Sequence, residues 1–88
     1  MNKERRTKLT QLQERMQELI EQANQLREDI DAVRDEEQEY LDNMPESLQN
    51  GEKGEKAQAA IDAMDEAVGY LDDFTDSGAP DKLEDAAA

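Results

Sequence analysis

The sequence predicts an all-α protein, an antiparallel two-helix coiled-coil hairpin that dimerises through the overhanging N-terminal part of its first helix. Three observations predict it. From Leu9 onward apolar residues recur at alternating steps of three and four, and a shorter pattern of the same kind runs from Ala57 to Thr75. Between them lie Pro45, Gly51 and Gly54, residue types that interrupt helices.

The first helix is expected over about residues 3–43. Its seam reads Leu9, Leu12, Met16, Leu19, Ala23, Leu26, Ile30, Val33, Glu37, Tyr40 and Met44. With Leu9 as heptad position a, the a and d positions stay apolar over five heptads apart from Glu37, beyond the roughly three to four repeats that make the pattern meaningful. The same frame sorts the charges. Glu14, Glu21, Glu28, Asp35 and Asp42 all fall at f, whereas Lys8, Arg15, Arg27 and Arg34 fall at g or e, beside the seam.

A turn is expected over about 44–53, because Pro45 disfavours a helical Met44 and Asn50-Gly51 and Gly54 supply breakers. The second helix is expected over about 54–76, with Ala57, Ile61, Met64, Val68, Leu71 and Thr75 as its seam. Ser77-Gly78-Ala79-Pro80 is a stop signal. Residues 77–88 have no periodicity and read as a disordered tail outside a hairpin of residues 1–76.

Paired residues in an antiparallel hairpin have a constant sum of numbers. A sum of 101 matches Leu26 with Thr75, Ile30 with Leu71, Val33 with Val68, Glu37 with Met64, Tyr40 with Ile61 and Met44 with Ala57, and centres the turn on Asn50-Gly51. It also brings Arg34 near Asp65 and Arg27 near Asp72; exposed pairs of this kind select register more than they stabilise. Intrachain packing is therefore expected at Leu26, Ile30, Val33, Tyr40, Met44, Ile61, Met64, Val68 and Leu71. At about 1.5 Å per residue the first helix overhangs the second by about 30 Å, and the overhang carries Leu9, Leu12, Met16, Leu19 and Ile20. An unpartnered apolar stripe predicts association. These five residues are the expected dimer interface, with Ala60, Ala67 and Phe74 as secondary packing positions.

Composition narrows the function. The chain has no cysteine, histidine or tryptophan, which removes disulfides, thiolate nucleophiles, imidazole bases and the commonest zinc ligands. A two-helix hairpin offers no enclosed pocket in which one of two carboxylates could be shifted toward acid–base work, so no enzyme activity, cofactor or small-molecule ligand is expected. Asp72-Asp73-Asp76 and Asp62-Asp65-Glu66 lack the loop and glycine spacing of a calcium site, and no metal is expected. The basic start MNKERRTKL is followed by no apolar stretch, so neither a signal peptide nor a membrane partner is expected, and the location is taken as cytoplasmic.

Charge is the extreme feature: 24 acids against 10 bases, net −14. Phosphate contacts need clustered Lys or Arg, so direct nucleic-acid binding is disfavoured and a basic protein partner is favoured. The f-position acids, with Asp62, Glu66, Asp73 and Asp76 of the second helix, admit two readings. One is a solvated coiled-coil face that serves solubility. The other is a phosphate mimic that occupies a nucleic-acid-binding surface, since such binding is largely electrostatic. Tyr70, at an outer c position, is a further contact candidate.

Residues 34–67, RDEEQEYLDNMPESLQNGEKGEKAQAAIDAMDEA, resemble a motif of small acidic phage and prophage proteins, most distinctively at Asp42-Asn43-Met44-Pro45-Glu46. The resemblance implies a helical hairpin of mobile-element origin and carries over no catalytic residue. It favours an anti-defence or host-takeover inhibitor. The alternative is a structural assembly or adaptor coiled coil.

Overall fold

The computed structural model describes residues 2–88; residue 1, the first of the expected hairpin span, lies outside the described residues. Among the described residues the regular structure is all helical: α1 (Lys3–Asp42), α2 (Glu46–Gln49), α3 (Glu52–Thr75) and α4 (Ala79–Ala87). None of these helices is long and apolar enough to cross a membrane.

Local chemistry accounts for the helix ends. Asn2 Oδ1 accepts the Arg5 backbone N–H at 2.9 Å, satisfying a donor that the first turn of α1 leaves open. Glu4 follows in that turn, where the helix dipole favours an acid, and pairs with Lys8 at 3.5 Å. At the other end the Gln49 side-chain amide donates to the carbonyls of Leu41 and Met44, each at 3.1 Å, so the turn caps α1. The expected loop contains the single turn α2, started by Pro45. α3 then opens on Glu52 and Glu55. A Cβ on Gly54 would sit 1.9 Å from the Gln49 carbonyl oxygen, so α3 can approach the turn this closely only because residue 54 has no side chain.

The chain forms two compact units: one is Leu26–Tyr70, the other combines the residues up to Gln25 with Leu71–Ala88. In the Leu26–Tyr70 unit the two long helices lie against each other across a core of Ala57 and Ile61, flanked by half-buried Ile30, Arg34, Glu37, Leu41, Met44, Met64 and Val68. Arg34 Nε donates to Asp65 Oδ1 at 2.8 Å, and a second guanidinium N–H reaches Oδ2 at 3.4 Å.

The covered side of α1 therefore combines heptad positions a and e, and not a and d as expected. Leu26, Val33 and Tyr40, assigned to intrachain packing by the sequence, are instead half-exposed. The reason is the width of the apolar arc. Positions a and d are apolar along most of this helix and Ile20 and Leu41 add to them at e, so the stripe is locally wider than one neighbouring helix covers. Arg34 at e turns to α3, where Asp65 holds it as the expected register requires.

In the other unit Ala23 and Pro80 are buried, and Leu9, Met16, Ile20, Leu71, Phe74 and Leu83 are half-buried. Here α4 replaces the expected disordered tail. Ser77 Oγ donates to the Phe74 carbonyl at 2.7 Å and accepts the Ala79 N–H at 3.3 Å. Gly78 takes a left-handed conformation with φ 72°, and Pro80 falls in the first turn of the new helix, where its fixed φ and missing N–H are no handicap. The glycine and proline that stop α3 thus also start α4. The expected unpartnered overhang is corrected accordingly: Leu83 of α4 lines an open groove together with Leu12, Arg15, Met16 and Leu19.

Candidate functional site

Two kinds of surface stand out, one acidic and one apolar. Glu14, Glu21, Glu28, Asp35, Asp42, Asp62, Glu66, Asp73 and Asp76 are all exposed. Several are steadied by neighbours on their own helix. Gln38 donates to Asp42, Gln58 to Asp62 and the Tyr70 hydroxyl to Glu66, each at 2.9 Å, and Arg34 lies 3.7 Å from Asp35. The first three are i,i+4 contacts, which fix carboxylate positions without removing them from water.

In the Leu26–Tyr70 unit these acids do not form one face. Glu28, Asp35 and Asp42 lie about 120° round α1 from the a/e side that faces α3, while Glu66 lies opposite the a/d stripe of α3. The unit presents two acidic outer faces. Along α1 the acids repeat every 10.5 Å or so, sparser than phosphates, and only clusters such as Asp35 with Glu39 and Asp42 fill the intervals. Tyr70 is 66% exposed, its hydroxyl held by Glu66.

The apolar surface was not anticipated in this form. Leu12, Leu19, Leu26, Val33 and Tyr40 occupy consecutive d positions of α1, and each is between 43% and 54% exposed. In the unit that contains α4, Leu12 and Leu19 flank the groove walled by Leu83. In the Leu26–Tyr70 unit, Tyr40 joins Asn43, Met44, Pro45, Leu48 and Lys53 around a shallow recess at the turn, with Leu48 itself half-exposed. The signal was present in the sequence as a seven-residue repeat. It was read as core because the a/d and a/e seams share half their residues.

A third recess, lined by Gln38, Leu41, Asp42, Gln49, Asn50, Gly54, Glu55 and Gln58, is open and bordered by amides and carboxylates. Among the described residues no group of three or more His, Cys, Asp or Glu is arranged to hold a metal ion. The expected dimer residues divide between the two surfaces: Leu9, Met16 and Ile20 are half-buried within their own unit, whereas Leu12 and Leu19 are turned outward. Comparison with known protein families, with curated proteins and with solved structures finds no match to this chain.

Proposed function

We propose that the protein is a non-enzymatic interaction module of phage type, in the cytoplasm, that works as a homodimer and occupies a basic, nucleic-acid-binding surface of a host or defence protein. The observation that carries this reading is the exposure of all nine acids on outer helix faces in a chain of net charge −14. Acid rows on rigid helices reproduce the charge, though not the density, of a phosphate backbone, and attract the surfaces that phosphates attract. The resemblance of residues 34–67 to small acidic phage proteins points the same way.

The half-exposed d stripe favours a second reading, a structural assembly or adaptor coiled coil whose acids serve solubility. Salt and charge neutralisation separate the two. Tagged protein is used to capture partners from host lysate, beside a variant with Glu14, Glu21, Glu28 and Asp35 all changed to Gln. The inhibitor reading expects basic nucleic-acid-binding proteins that are released by moderate salt, displaced by added DNA and lost with the variant. Capture that is indifferent to salt, DNA and the four substitutions would overturn it in favour of the adaptor.

A further inference from the structure

We infer that the d stripe of α1 is the seam of an antiparallel homodimer with its twofold axis at Gln22. The inference rests on the homodimer reading and gives it a surface and a register. The surface differs from the expected one: Leu9, Met16 and Ile20 are engaged within their own chain, and the outward residues are Leu12, Leu19, Leu26, Val33 and Tyr40.

The charges beside the stripe identify the occupant. On a helical wheel the position next to d, on the side away from a, is g. Read in order along α1, the g residues are Lys8, Arg15, Gln22, Asp29 and Glu36. Bases come first, acids last, and a neutral amide stands between. The same polarity holds for the whole helix: residues 3–20 contain five bases and three acids, residues 21–42 two bases and nine acids. A parallel pair would lay the basic first half of α1 along the basic first half of its copy and the acidic second half along the acidic second half, a repulsion at both ends. An antiparallel pair sets basic on acidic throughout, which is how flanking charges specify orientation.

One register satisfies both the charges and the apolar residues. With Gln22 opposite Gln22, the flanking positions pair Lys8 with Glu36 and Arg15 with Asp29 of the second copy, each summing to 44. The stripe residues then meet as Leu12 with Val33 and Leu19 with Leu26, each summing to 45. Tyr40 meets Arg5, a guanidinium–aromatic contact. Apolar layers and polar pairs alternate along the seam, and the two Gln22 amides, each donor and acceptor, satisfy one another at the axis. The groove walled by Leu83 receives Leu26 and Val33 of the second copy.

The chain has no cysteine of its own, so single cysteines report the register in the full-length protein. A disulfide needs Cα atoms roughly 4.4–6.8 Å apart. Gln22→Cys is expected to convert most of the chain to covalent dimer under mild oxidation. Lys8→Cys alone and Glu36→Cys alone should stay monomeric on a non-reducing gel, since each lies about 40 Å from its own copy in this register. An equimolar mixture of these two should cross-link. Efficient self-cross-linking of Lys8→Cys would mean a parallel seam and overturn the inference, as would failure of Gln22→Cys. Leu19→Lys, at a half-exposed site, should halve the sedimenting mass while leaving the helical circular dichroism unchanged; retention of the dimer would exclude the d stripe as its seam. None of these readouts involves the f-position acids, so failure here is distinct from failure of the inhibitor reading.

Discussion

Gly54 and Gly69 sit in the same helix and have opposite expectations. At Gly54 a methyl group would collide with the backbone of Gln49, its oxygen, carbonyl carbon and Cα all lying within 2.7 Å of the added Cβ. Backbone cannot rotate away as a side chain can, so Gly54→Ala should separate α3 from the turn that caps α1. The expected loss is about 2 kcal/mol, on the order of 10 °C in Tm for a chain of this size. At Gly69 nothing lies within 4 Å of the added Cβ and the site is mid-helix. Gly69→Ala should raise stability by about 0.5–1 kcal/mol, through helix propensity and a less disordered unfolded chain. Thermal melts of the two variants followed by circular dichroism check both signs at once. Arg34 bears on pH dependence. Its hydrogen bond to Asp65, then the charges of Asp65, Asp35 and Asp31, raise its guanidinium pKa against the opposing effect of burial. A raised pKa gives stability that is present below the ordinary arginine range and lost only as pH climbs through strong alkali. Titration of Arg34 therefore contributes no change in Tm between roughly pH 7 and 9.

At the scale of elements, the two long helices were legible because their apolar repeats are long and their stop signals local: Pro45 after α1, and Ser77-Gly78 after α3. The seam of α3 was legible too, since Ile61, Met64, Val68 and Leu71 make it the stripe with the larger aliphatic residues, beside one of Ala60, Ala63, Ala67, Tyr70 and Phe74. On α1 the sequence favours an a/d seam, because position e carries Gln13, Arg27 and Arg34 beside Ile20 and Leu41, yet Leu26, Val33 and Tyr40 are half-exposed in the structure. Arg34 and Leu41 at e are half-buried instead, a consequence of where α3 packs, which the periodicity of α1 alone does not carry. α4 was missed for a different reason. Nine residues are too few to show a heptad, and Gly78-Ala79-Pro80 was read only as a terminator, although Pro in a first turn followed by Asp81 is also a helix start. That reading makes Gly78 the hinge on which α4 depends. Gly78→Ala places a Cβ in the left-handed region at a cost of about 1 kcal/mol. Amide hydrogen exchange should show protection lost from residues 81–87 while the amides of the Leu26–Tyr70 unit keep theirs.

At the scale of the whole molecule, the acidic and apolar features of α1 are compatible because they point away from each other. Positions d and f are about 160° apart on a helical wheel at 100° per residue, so a seam on Leu12, Leu19, Leu26 and Val33 leaves Glu14, Glu21, Glu28 and Asp35 of both copies open to a partner. Dimerisation would double the number of acidic faces without covering any on α1, and a chain with few apolar residues would gain the burial its own fold leaves incomplete. Small domains depend on such gains. The consequence is a coupling between folding and association. If the unfolded chain is monomeric and the folded chain dimeric, each tenfold rise in protein concentration adds RT ln 10, about 1.4 kcal/mol, to the stability of the dimer, which corresponds to a Tm higher by about 4 °C. Melts over a hundredfold range of concentration should therefore move upward together, and the same series on Leu19→Lys should show no movement. A wild-type Tm that is constant across that range would mean that α1 keeps its d stripe in water, and would leave the acidic faces as the surface through which the protein acts.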